Sequence, residues 1–193
     1  MGFQIQDGTG KGFNVGVDKT NRLLTRTVNE TIFENSAEEG EAYFMGTPLV
    51  TLTNAALSGI FFVVNNEDYD LIFDDFFFVA ESTTGGTPAM FRSSWYKGST
   101  AMTSATSISP LNQNFGSSKT LSGTFQYGAQ GAAFTGGGIV AQLSFPIGQF
   151  NELPAKLVLP KGSSFGIGIN PPTGNTSMAV QFGARVIRYI EQY

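Results

Sequence analysis

The chain contains neither cysteine nor histidine. The first absence removes a disulfide framework, a thiol nucleophile and a thiolate metal site. The second removes the commonest general base, the usual zinc and iron ligand and the physiological-pH switch. Catalysis would have to run on carboxylates, lysine, tyrosine or a hard metal. Long hydrophobic runs are missing too: the longest aliphatic and aromatic run is the five residues Ile60 to Val64. A membrane-spanning helix needs about 20. The opening MGFQIQDGTG has no apolar core of a signal peptide. Gln6 stands where a myristoylation signal wants Ser or Thr. The expectation is a soluble, uncleaved chain with no membrane partner. No Lys/Arg stripe interleaved with aromatics is present, so direct nucleic-acid binding is not expected either.

What the 193 residues do contain is 24 glycines, 18 phenylalanines and abundant Ser and Thr. This length fits one domain with an appendage, able to bury roughly 70% of its unfolded surface. The net charge of −4 is unevenly spread. Residues 1–81 carry 4 basic and 13 acidic side chains, whereas residues 82–193 carry 7 basic and 2 acidic. Such a dipolar chain can pair head to tail with its own copies or sit on a charged scaffold.

Short apolar runs separated by Gly, Pro, Asn and Ser predict an all-β protein. Residues 3–28 alternate Phe3 and Ile5 with Gln4 and Gln6, turn at DGTGKG, alternate Phe13, Val15 and Val17, and turn again at DKTN. This predicts a small N-terminal β-meander or arm, residues 1–30, too poor in apolar groups to stand alone. Residues 31–46 are acidic and predict a linker or short helix. From 47 to 193 the strand signals recur at 49–53, 59–64, 70–82, 89–98, 123–128, 138–148, 155–172 and 176–193. Eight or so strands of this length suit a jelly-roll-like β-sandwich. In the last strand Met178, Val180 and Phe182 share a side, with a bulge expected near Gly183. Residues 99–137 hold Lys119 as their one charge and read largely as exposed loop.

The acids at Glu67, Asp68, Asp70, Asp74 and Asp75 sit inside an aromatic window. NNEDYD (65–70) predicts a hairpin turn, because Asn and Asp supply turn backbones and local side-chain bonds. A calcium loop would need a central glycine and a distal Glu, both missing here. Asp74 and Asp75 would point to opposite faces of a strand that is apolar on both. At least one therefore needs Arg92, Lys97, Arg185 or Arg188 as partner. Two of the five acids could serve as a glycosidase pair, but adjacent strand residues diverge. GSSFG (162–166) matches the G-x-S-x-G nucleophile pattern at Ser164, without the histidine base or the strand–turn–helix context. GTGKG (8–12) lacks the spacing of a phosphate loop. Asn29-Glu30-Thr31 and Asn175-Thr176-Ser177 are glycosylation triplets that matter only in a secreted eukaryotic protein. Trp95, Tyr96 and Tyr127 could form a sugar platform, although core or interface packing is the commoner use of such side chains. No catalytic residue, metal ligand or cofactor is assigned.

Three pieces of the chain together resemble a known group. IQDGTGKGFNVGVDKTNRLLTRTV (5–28), VVNNEDYDLIF (63–73) and LPKGSSFGIGINPPTGNTSMAVQFGARVIRYIE (159–191) are similar to segments of tailed-bacteriophage virion structural proteins of the capsid decoration, or cement, type. The resemblance implies a jelly-roll body on the outer capsid surface of the virion, after synthesis in the host cytoplasm. It implies a homo-oligomer, often a trimer, that contacts the major capsid protein and bridges capsomers. Phe3, Ile5, Phe13, Val15, Val17 and Leu23 would form the capsid or subunit contact by strand addition and apolar packing. The other expectation held open is a head-fibre or tail-associated module that recognises host glycans.

Overall fold

The computed structural model describes residues 32–53, 56–83, 90–172 and 177–190. The candidate contacts Phe3, Ile5, Phe13, Val15, Val17 and Leu23 lie outside the described residues. So do the GTGKG turn and Asn29-Glu30-Thr31. The chain divides between Thr31 and Ile32, and the unit from Ile32 onward is described below.

That unit opens with helix α1 (Ile32–Glu38), then runs through twelve strands. These are β1 (Ala42–Gly46), β2 (Val50–Leu52), β3 (Ser58–Asn65), β4 (Asp70–Ser82), β5 (Met90–Met102) and β6 (Ala105–Ser107). They continue with β7 (Leu111–Asn112), β8 (Gly123–Gly128), β9 (Phe134–Pro146), β10 (Phe150–Leu159), β11 (Ser164–Asn170) and β12 (Met178–Tyr189). One antiparallel sheet has the order β10-β4-β12-β1-β7, with β2 also on β12; the other has the order β6-β8-β3-β11-β5-β9. The pairings nest: β5 with β9, β4 with β10, β3 with β11 and β1 with β12. A chain folded as one long hairpin and then rolled into two four-stranded sheets makes this pattern. It is the jelly roll that the strand spacing predicts. β6 and β8 extend the second sheet beyond β3, and β7 extends the first beyond β1.

The core between the sheets is built from rings. Phe61, Phe73, Phe76, Phe78, Phe91 and Phe182 are fully buried, with Trp95 and Phe165 beside them. Phe76 meets Trp95 edge-on with centroids 4.9 Å apart, and Phe61 lies 4.7 Å from Phe182. Tilted and edge-on pairs of this kind suit the ring quadrupole and add to the area buried.

Several expectations are corrected. The 31–46 stretch, expected as a linker or short helix, does hold a short helix over Ile32–Glu38, but α1 leads into β1, a strand inside the first sheet, whose Ala42, Tyr43 and Met45 are fully buried. The body therefore begins at Ile32, not at residue 47. The 65–70 segment is not a hairpin turn, because β3 and β4 belong to different sheets and this segment crosses between them. Its Asn65 chemistry is as expected: Asn65 Oδ1 accepts the Glu67 N–H (2.9 Å), and Asn65 Nδ2 donates to the carbonyls of Tyr69 and Leu159. β4 is not apolar on two equivalent faces. Asp75 pairs with Arg185 and Phe73 with Val186, which leaves Asp74 as an extra residue. This bulge shifts the parity, so that Leu71, Phe73, Phe76, Phe78 and Ala80 all enter one core. β12 itself alternates without a break, its even-numbered residues from Met178 to Val186 all buried. The irregularity expected near Gly183 belongs to its neighbour β4.

The segment 99–137 is also more ordered than expected, contributing the end of β5, the strands β6 to β8 and the start of β9. The β5–β9 ribbon bends at Gly98, Gly136 and Gly137, all with φ near +70°. That backbone suits glycine. The bend lays Phe134 across the outside of the second sheet, against Phe62 and Tyr96. A Cβ on Gly166 would meet the Phe134 ring at 2.5 Å.

Candidate functional site

The acids singled out in the sequence are spent on structure. Glu67 and Glu41 flank Arg188, all three largely buried. Arg188 Nε donates to Glu41 Oε2 (2.7 Å) and its Nη1 to Glu67 (3.4 Å). Lys119 Nζ binds the other oxygen of Glu41. Ser122 N–H donates to Glu67, and Arg188 Nη1 to the Thr120 carbonyl. Burial alone would lower the Arg188 pKa. The Glu41 hydrogen bond and the charges of Glu41 and Glu67 help outweigh it, and the guanidinium is held above its ordinary value. The network is balanced, two carboxylates against two cations, and it ties β1, β12, the sheet-crossing 66–69 segment and the 113–122 loop together. Beside it Tyr43 is pushed up by burial, against the pull of Arg188.

Asp75 pairs with Arg185 (3.0 Å), one of the four cations expected. Asp68 is fully exposed, and its hydrogen bond from Lys161 holds its carboxyl below the usual range. Among the described residues no cluster of three or more Asp and Glu could hold a metal ion. Ser164 is a buried residue at the start of β11, with no helix after it, so the nucleophile pattern has no elbow. Trp95 is 7% exposed, faces the core and donates to Ser93 Oγ (3.1 Å), which removes it as a sugar platform. Tyr96 lies tilted against Phe134, and Tyr127 packs against the core.

The feature with room for a partner lies on the outer face of the first sheet. The ladder sets side chains there in rows. One row runs Pro154, Asp75, Arg185, Phe44 and Leu111; the next runs Glu152, Phe77, Gly183 and Gly46; the third starts Phe150, Val79 and Gln181. Phe44, Phe77 and Phe150 wall a groove of about 390 Å³, with Gln113, Gln181 and Arg185 at its ends. Phe77 stacks on Phe150 (5.8 Å) and lies 6.4 Å from Phe44. The floor is the cross-strand pair Gly46 and Gly183. A Cβ on Gly183 would meet the Phe44 ring at 2.8 Å, so glycine is what lets that ring lie against the sheet. Arg185 is sandwiched between Phe33 and Phe77, 5.4 and 5.3 Å from the ring centroids, while paired with Asp75. The groove therefore offers apolar surface with its one cation already neutralised. Phe150, at the rim, is 63% exposed.

None of Phe44, Phe77 and Phe150 was singled out by sequence reasoning. They come from three strands distant in sequence, and only the ladder register brings them together. The one local signal was Phe77 and Val79 alternating with Phe76 and Phe78, which becomes readable once the bulge is placed at Asp74. No family model, curated protein or solved structure matches the chain.

Proposed function

We propose that the protein is a non-enzymatic virion structural component of the capsid decoration, or cement, type. It binds the outer capsid surface through the major capsid protein and bridges capsomers as a homo-oligomer, a trimer by the resemblance of its segments. The observation that carries this reading is the open aromatic groove on a jelly-roll body whose buried acids are spent in ion pairs. Exposed apolar surface of this kind marks interaction sites and ligand-binding grooves. The likeness of both ends of the chain to phage virion proteins supports it. In this reading Phe3, Ile5, Phe13, Val15, Val17 and Leu23 provide the capsid or subunit contact. The alternative, a head-fibre or tail-associated glycan binder, is weakened by the burial of Trp95.

The test is co-sedimentation with purified capsids lacking the protein. The full chain should bind to saturation at a fixed ratio to the major capsid protein. The chain without residues 1–28 should stay folded and no longer bind. Normal binding by the truncated chain would overturn the assignment of that segment. Failure of the full chain to bind at all would move the protein to a tail or receptor-binding role.

A further inference from the structure

Phe115 is 87% exposed, the highest value among the large hydrophobic side chains of the described residues. An exposed phenylalanine on a loose loop would mean little, but this one is held. Asn112 Oδ1 accepts the Asn114 N–H (2.9 Å), Asn114 Oδ1 accepts the Gly116 N–H (3.0 Å), and Ser117 N–H donates to the Asn114 carbonyl (2.9 Å). Asn114 Nδ2 donates to the Glu38 carbonyl of α1 (2.8 Å), and Asn112 Nδ2 to the Gly40 carbonyl (2.9 Å). At the loop's far end Lys119 joins Glu41 in the buried ion network. Gly40, at φ +74°, lets Ser117 approach where a Cβ would collide with its side chain. The ring is thus presented from fixed backbone, so docking it costs little ordering entropy. Its own unit provides no cover for it.

The same unit carries an aromatic groove that is likewise uncovered. We propose that Phe115 of one copy inserts into the Phe44–Phe77–Phe150 groove of a second copy, and that this contact joins copies of the chain. The proposal deepens the reading of the protein as an oligomeric shell component and rests on that reading for its biological use. Three observations favour a second copy over another occupant. The knob and the hole occur on one chain, each uncovered by the described residues. Residues 108–118 carry no charge, and Arg185 in the groove is already paired with Asp75, so docking buries no lone charge. Gln181 on the groove can bond the amide-rich backbone and side chains of the incoming QNFGSS loop. Gln113 belongs both to the groove lining and to the Phe115 loop, so the knob lies beside its own copy's hole and two copies can exchange knobs about a two-fold axis.

The absence of cysteine makes the test clean. Ser118→Cys, beside the knob, and Gln181→Cys, on the groove, are made in separate full-length chains, one isotopically heavy. They are mixed and treated with a short bismaleimide, and cross-linked peptides are read by mass spectrometry. Mixed 118–181 cross-links should dominate over 118–118 and 181–181 pairs. Adding Phe115→Ala to the Ser118→Cys chain should reduce them by roughly tenfold or more, as for removal of a buried aromatic anchor. Phe115 is exposed, so an unchanged melting temperature will show that the Ala variant still folds. Absent mixed cross-links, or cross-links indifferent to Phe115→Ala, would overturn the contact. So would Phe115-dependent binding to capsids, or to neutral phosphatidylcholine vesicles, without such cross-links. If the cross-link forms but the chain ignores capsids, the contact stands and the capsid role falls.

Discussion

Tyr43 is fully buried, and its hydroxyl faces the Asn112 side chain without a well-formed hydrogen bond. Asn112 also bonds Gly40, Lys119 and Asn114, so it keeps partners when the hydroxyl is removed. Tyr43→Phe should therefore leave the fold intact and change its stability by about 1 kcal/mol or less in urea unfolding. A pH effect accompanies it. Burial raises the Tyr43 phenol above its ordinary 10.0 in the folded chain. The stability of the neutral buried form is thus fully present below pH 10 and is lost as pH rises through the raised value. In Tyr43→Phe this share of the alkaline loss should vanish, while Tyr96, also raised by burial, keeps its own. Urea titrations at pH 8 and above would check both; a variant destabilised by several kcal/mol would show that the hydroxyl is needed to hold the core. At this scale the sequence was a fair guide to pairing and a poor one to depth. It named Arg185 among four candidate partners for Asp74 or Asp75, and Asp75 takes it. It could not show that Glu41, in a stretch that reads as acidic linker, sits beneath Arg188, because that contact spans 147 positions.

β4 shows what decides an element. DLIFDDFFFV has apolar residues in both parities, and regular alternation makes it a strand covered on two sides. One extra residue at Asp74 resolves the pattern, moving Phe76 and Phe78 to the side of Leu71 and Phe73. Deleting Asp74 should therefore leave an alternating strand against β12, with its cost falling on the matching irregularity at Pro154–Leu157 of β10. Deleting Ile72 should turn Leu71 out of the core and cost about 2–5 kcal/mol, as for loss of a buried leucine. Thermal unfolding of the two deletions would separate them, and equal damage would contradict the bulge. The strands themselves were legible from their apolar runs and turn residues. Sheet membership was not, because NNEDYD has the chemistry of a tight turn whether it closes a hairpin or crosses to the other sheet. The outward positions of β1, β4 and β10 that build the groove depend on that assignment, and this is why the candidate site escaped the sequence.

For the whole molecule, the nested pairings give a jelly roll with unequal faces. The second sheet carries only Arg92 and Lys97 as charges in its strands, and the β5–β9 ribbon covers part of its outer side with Phe134. The first sheet carries Asp70, Asp74, Asp75, Glu81 and Glu152 beside Lys156, Arg185 and Arg188, and its outer aromatic groove is open in the single chain. The uneven charge along the chain is thus partly resolved within that sheet, where Arg185 from the later half meets Asp75 from the earlier one. The central claim is that this body reinforces a shell. The most direct measurement is the temperature at which DNA-filled heads lacking the protein release their DNA, before and after saturation with the purified chain. The account predicts release at a higher temperature in the saturated heads, because a bound bridge must be broken before the capsomers part. Saturated heads that release DNA at the same temperature as bare ones would contradict it.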